Sequence, residues 1–165
     1  MVGRRRYYQS SEGVNYPSIT TVLSANPEKL KSLAQWRKRI GKAEAHAITS
    51  TAATRGTAAH LICERYIDND QDPERGAMPD SIAMFRALKP TIDEHVGMVL
   101  GQEVPMFSHH LGVAGRVDLI AEWDGKPTIV DFKTSLRPKK EEWIHDSLCL
   151  LYTSYAAHDL TPFLP

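Results

Sequence analysis

The residues of this 165-residue chain best suited to chemistry are His60, Asp118, Asp131 and Lys133, with Glu64 beside the first of them. Asp131 and Lys133 stand in the segment Ile129-Val130-Asp131-Phe132-Lys133-Thr134-Ser135. On a strand, residues i and i+2 share a face. The carboxylate and the ammonium are therefore expected on one side, with Val130 and Phe132 on the other. Asp118 lies in Gly115-Arg116-Val117-Asp118-Leu119-Ile120, and a hairpin turn at Asp124-Gly125 would bring it beside Asp131. Two neighbouring carboxylates repel each other unless a cation lies between them. Hard divalent cations favour oxygen ligands, so Mg²⁺ or Mn²⁺ is the expected cofactor. Lys133 next to such a site can neutralise developing charge or orient a water. That combination suits phosphodiester hydrolysis. The plain alternative is an exposed Asp–Lys pair contributing little. His60 and Glu64, four residues apart, share one face of a helix and can add a nitrogen and an oxygen ligand. Their alternative is an incidental polar pair on an amphipathic helix.

The elements that must hold these groups are legible from capping and periodicity. Ser18 is the expected N-cap of a short helical segment within residues 16–23. Asn26 caps a longer helix with Pro27 at its first position, and Gly41 stops it. Residues 42–54 are expected to be helical. Arg55-Gly56-Thr57 is expected to break that helix, Thr57 capping a new one that carries His60 and Glu64. Residues 68–76 form a polar loop, and residues 80–95 a helix kinked or divided by Pro90. The period then changes to that of three strands, over 98–106, 113–123 and 128–134. A last helix is expected over 141–158. Helices, then an antiparallel meander, then a helix make an α+β layout. The division expected is a flexible basic arm over 1–15 and a single domain over 16–165.

Composition narrows the classes. Twenty basic and twenty acidic residues cancel overall. Residues 1–65 nevertheless carry eleven basic and four acidic side chains, and residues 66–165 nine basic and sixteen acidic. A basic first third suits a polyanion, and an acidic remainder can supply metal carboxylates; oppositely charged solvated faces are the alternative. No run of eighteen apolar residues exists. The basic start lacks the apolar stretch of a secretory signal. The expected location is therefore intracellular and cytoplasmic, with no membrane partner. Two cysteines cannot build a four-cysteine zinc or iron–sulfur site. Asp68, Asp70 and Asp72 imitate an EF-hand opening, but its sixth position is Pro73 and its twelfth Pro79, so a solvated loop is expected. His109 and His110 are adjacent and diverge. Trp36, Trp123 and Trp143 are expected in the core or its rim. Arg4-Arg5-Arg6 with Tyr7-Tyr8 is either a grip on phosphates or a solvated arm.

Taken in order, R-G-T-A-A-H with a glutamate four residues on, G-x-x-D, D-F-K-T-S and a tyrosine-bearing helix resemble the PD-(D/E)xK nuclease superfamily. The match is to its RecB-like branch of phage and mitochondrial genome maintenance exonucleases, over roughly residues 16–158. The opening Y-P-S-I-T-T-V-L is also similar. The resemblance implies a restriction-endonuclease-like α/β/α core and a metal-dependent exonuclease. Its substrate would be single-stranded DNA or DNA ends, in replication, recombination or repair, in the host cytoplasm if phage-encoded. It implies His60, Asp118, Asp131 and the Phe132 backbone carbonyl as metal ligands. Lys133 would position or activate the attacking water, Glu64 would support the metal or its waters, and Thr134 would assist. Ser18, Thr20, Thr21, Arg37, Lys38, Arg55, Thr57 and Tyr152 are the expected nucleic-acid contacts. The sequence departs from the pattern in one helix. Where Q-x-x-x-Y is usual, Leu148 precedes Tyr152 and Leu151 precedes Tyr155. Relatives also continue with further strands, so both a natural minimal form and a chain truncated at its C-terminal strands are expected readings. The alternative functions are a catalytically impaired nucleic-acid-binding module, or a nuclease fragment completed by a partner chain.

Overall fold

Capping chemistry starts the first helices where it was expected. The computed structural model describes residues 6–135 and 161–162. The Ser18 hydroxyl accepts the Thr21 N–H at 3.1 Å and opens α1 (Ile19–Ser24). Asn26 Oδ1 accepts from Glu28 N–H at 2.9 Å and opens α2 (Pro27–Ile40). Gly41, at φ 91°, ends α2 in a conformation that favours glycine. The helix expected over 141–158, with Tyr152, lies outside the described residues.

The remaining elements are β1 (Tyr7–Gln9), β2 (Asn15–Pro17), α3 (Lys42–Ile67), α4 (Pro79–His95), β3 (Val96–Ser108), β4 (Val113–Trp123), β5 (Lys126–Val130) and β6 (Thr161–Pro162). The layout is mixed: N-terminal helices, then antiparallel strands, with strand order β5-β4-β3-β6 in the larger sheet. Two compact units divide the chain. One holds Met1–Gln35, Val104–Arg116 and Ser135–Pro165, the other Trp36–Glu103 and Val117–Thr134. Among the described residues, no helix is long and apolar enough to cross a membrane.

In the first unit, β1 and β2 pair antiparallel with Tyr8 opposite Tyr16, inside the stretch where an arm was expected. Tyr16 stacks on Phe107 with ring centroids 5.7 Å apart, and its hydroxyl hydrogen-bonds His109 Nδ1 at 2.5 Å. β6 pairs with the end of β3 at Met106 and Phe107.

In the second unit, α3 and α4 join β4 around Ile62, Cys63, Phe85, Ile92, Leu119, Ala121 and Phe132. Leu119 and Ala121 are fully buried. Alternate residues of a strand share a face, so these two form the apolar stripe of β4. The β4–β5 hairpin turns at Asp124-Gly125, both at positive φ (52° and 74°), with Trp123 opposite Lys126. That is the two-residue turn whose twist matches the strands.

Two expectations fail. α3 runs without a break through Arg55, Gly56 and Thr57, so Thr57 is an exposed mid-helix residue and no cap. An isolated glycine costs a helix only about 1 kcal/mol, and here packing at Ala59, Ile62 and Cys63 outweighs it. β5 ends at Val130, so Asp131 and Lys133 follow the strand rather than lie on it. The reason is local. The Phe132 N–H, which would continue the ladder, donates to the Asp118 carboxylate instead.

The hairpin is braced at its tip. His95 stacks on Trp123 at 5.0 Å between centroids, and its Nδ1 meets Asp124 Oδ1 at 2.8 Å. The hydrogen bond to Asp124 raises the His95 pKa above its usual 6.5. A raised folded-state pKa stabilises fully below the unfolded value and loses that contribution as pH rises through the folded value. The melting-temperature advantage of the native chain over His95→Gln is therefore expected to shrink between about pH 6 and about pH 8. An advantage that is flat or grows over that interval contradicts the brace.

Candidate metal and phosphodiester site

Helix α3, strand β4 and the segment after β5 each bring one part of the candidate site. The hairpin register places Leu119 opposite Val130. One step further sets Asp118 opposite Asp131, which is where the ladder stops. Phe132 N–H donates to Asp118 Oδ2 at 2.7 Å. On the other side, His60 Nδ1 lies 3.4 Å from the same oxygen. The His60 ring meets Phe132 edge to face, at 6.2 Å between centroids. Asp131 and Lys133 form an ion pair, the lysine exposed and the aspartate half-buried.

The electrostatics follow from this packing. The hydrogen bond to Asp118 raises the His60 pKa above 6.5; burial and the Lys133 charge oppose it, and the Phe132 backbone adds to it. Burial pushes the Asp118 pKa up. The bonds from His60 and the Phe132 N–H, with the charges of His60 and Lys133, outweigh burial and hold it below 3.8. Asp118 is thus an anion at neutral pH. Cys63 lies close enough to feel it, and burial together with that charge pushes its thiol up to about 11. It is a core residue and no nucleophile.

Two ligands at about 2.1 Å from one small cation stand about 3.0–3.4 Å apart, depending on coordination geometry. The His60–Asp118 spacing of 3.4 Å matches that. The spacing of His60 and Asp118 would fit two ligands of one divalent cation. Among the described residues, no group of three or more His, Cys, Asp or Glu side chains is drawn together as a metal centre. Asp131 is turned to Lys133. Glu64 lies one turn beyond His60, half-buried; its backbone carbonyl accepts from Gln102 at 3.3 Å.

The expected nucleic-acid residues are variously disposed. Ser18 is buried and its hydroxyl is committed to the α1 cap, with Thr20 and Thr21 hydroxyls at 2.9 and 2.8 Å. Thr20 is exposed and Thr21 half-buried. Arg37 and Lys38 are exposed on α2, and Arg55 is half-buried on α3.

One positioning residue was misread from sequence. Gly56 breaks nothing; it supplies space. A Cβ there would meet Thr134 Oγ1 at 3.3 Å, tighter than ordinary contact. The absence of a side chain lets the segment carrying Phe132 and Lys133 close on the helix carrying His60. Glycine in R-G-T signals both a helix break and a close approach, and sequence alone does not separate them. Gly56→Leu is expected to destabilise by about 2 kcal/mol through overpacking. Gly56→Ala made in a Thr134→Ala background is expected to stabilise by about 1 kcal/mol, the helix-propensity gain without the contact. Denaturant unfolding measures both, and a neutral Gly56→Leu contradicts the close approach.

With the geometry established, comparison adds a distant link. No family model matches the chain. Over 129 residues it is 26% identical to mitochondrial genome maintenance exonuclease 1 of Mus musculus. The match takes in 74% of this chain and 38% of that protein, so the chain spans little more than a third of that relative's length. The chain is thus weakly and partially similar to an exonuclease.

Proposed function

We propose that this chain is a metal-dependent DNA exonuclease of the PD-(D/E)xK kind, acting on single-stranded DNA or DNA ends. Residues 16–165 would be one restriction-endonuclease-like domain preceded by a basic arm. The observation that carries the reading is the approach of His60 Nδ1 to Asp118 Oδ2 at 3.4 Å, with the Phe132 N–H donating to the same carboxylate oxygen. The distant similarity to an exonuclease supports it.

Mg²⁺ or Mn²⁺, held by His60, Asp118 and the Phe132 carbonyl and joined by Asp131, would supply Lewis-acid stabilisation of the charge developing on the phosphate. The chain's own groups have separate tasks. The Phe132 N–H bond and partial burial fix the Asp118 carboxylate as an anion in one orientation. Packing on α3 fixes His60. Lys133, exposed beside Asp131, can turn its ammonium to an incoming phosphate or to the attacking water. A positive charge at that place stabilises a pentacovalent phosphorus more than the ground state, which is what accelerates hydrolysis. Glu64 would hold waters near the site. Arg37, Lys38 and the hydroxyls of Thr20 and Thr57 would contact the strand.

One observation favours a second reading, a nucleic-acid-binding module without turnover: among the described residues, no third His, Cys, Asp or Glu side chain joins His60 and Asp118. Digestion separates the two. End-labelled single strands, blocked ends and circular DNA would be incubated with Mg²⁺, Mn²⁺ or chelator. The exonuclease loses free ends only, and only with metal. Lys133→Ala is expected to lower the rate at least about 100-fold while leaving the melting curve unchanged, since the side chain is exposed. Asp131→Ala should do the same. Undiminished cleavage by purified Lys133→Ala overturns the reading, and salt-sensitive binding without digestion favours the module.

A further inference from the structure

Strand β3 is guarded at one end and open at the other. β6 pairs with its outer edge at Met106 and Phe107. Pro105 removes a donor there, and Glu103 stands at φ 51°, outside the extended backbone of a strand. Residues 96–102 read Val-Gly-Met-Val-Leu-Gly-Gln, with no charge and no proline. β4 is the neighbour of β3 on one side, and among the described residues no strand pairs with 96–102 on the other. Met98, Val99 and Leu100 are 57%, 41% and 53% exposed. Alternate residues of a strand point to opposite faces, so apolar surface is open on both faces here as well as along the edge. Edge strands are ordinarily blunted by charge, proline, a bulge or a covering segment. Residues 103–107 have such devices, and residues 96–102 have none.

A row of unpaired backbone groups is completed by another strand, and the run itself indicates which. It is nearly symmetric about Val99. Laid antiparallel on a second copy, with a two-fold axis at Val99, it sets Val99 against Val99, Met98 against Leu100, Gly97 against Gly101 and Val96 against Gln102. Large side chains face large ones, and glycine faces glycine. The run carries no charge, so two copies meet there without repulsion, and a charged strand of another protein would find no counter-charge. A two-fold pairing is also closed: each copy uses its one open edge, and growth stops at two. We propose that two copies of this chain pair antiparallel along residues 96–102 of β3, joining their sheets edge to edge. Seven paired residues span only about 23 Å. Such a contact buries less than a standard interface, so the dimer forms and dissociates with concentration. The inference does not depend on the nuclease reading.

Sedimentation of the full chain over a wide range of concentration reads the association, and a dimer is the expected product. Amide hydrogen exchange at the two ends of that range locates it. Alternate amides within residues 96–102 are expected to exchange about tenfold more slowly where the dimer prevails. Val99 faces itself across the axis, so Val99→Lys brings two ammonium groups together and Val99→Glu two carboxylates. Each variant alone is expected to associate at least about tenfold more weakly than the native chain. Mixed, the two are expected to regain a dimer, because unlike charges then meet at position 99. Val99 is exposed, so both variants should melt like the native chain when dilute; if either fails to fold, exchange in the native chain still decides. A native chain that stays monomeric throughout overturns the proposal and leaves the edge to a different strand. So do species that grow beyond a dimer, a dimer without slowed exchange in residues 96–102, or folded variants that remain monomeric when mixed.

Discussion

The arrangement depends on one carboxylate. Asp118 Oδ2 accepts the Phe132 N–H at 2.7 Å and faces His60 Nδ1 at 3.4 Å. Through that oxygen, strand β4, helix α3 and the segment after β5 are tied at one point. Each bond has a cost elsewhere: β5 gives up its next ladder bond, and an anion is held partly out of water. The cost is offset because the same oxygen is satisfied from two sides, and because the bonds hold Asp118 ionised against its burial. A polar knot of this kind at the edge of an apolar core is poor as a stabilising device. Under the proposed function it would serve as a preorganised donor set.

The core explains why the knot sits where it does. Leu119 is fully buried beside Asp118, Phe132 is buried beneath Lys133, and Ile62 and Cys63 follow His60 on α3. Every polar donor thus has a buried apolar neighbour in sequence, anchoring it on a packed element and not on a free loop. The Gly56–Thr134 approach completes this by removing a side chain where the two segments would otherwise be held apart.

Much of this was legible in the residues. Serine and asparagine caps located α1 and α2, and Asp-Gly located the β4–β5 turn, because each acts through its own backbone neighbourhood. The hairpin then fixed Asp118 relative to Asp131 by counting. Where the reading failed, the deciding contact was distant in sequence. Gly56 reads locally as a helix break, yet the core contacts of Ala59, Ile62 and Cys63 carry the helix through it. Val130 reads as mid-strand, yet a carboxylate from β4 captures the next N–H and ends the ladder.

The most direct measurement of the central claim is anomalous diffraction from crystals soaked in Mn²⁺. The account predicts a single strong peak about 2.1–2.3 Å from the His60 imidazole and an Asp118 oxygen, with the Phe132 carbonyl in the same shell. A crystal in which His60 still faces Asp118 but manganese binds elsewhere, or nowhere, contradicts it.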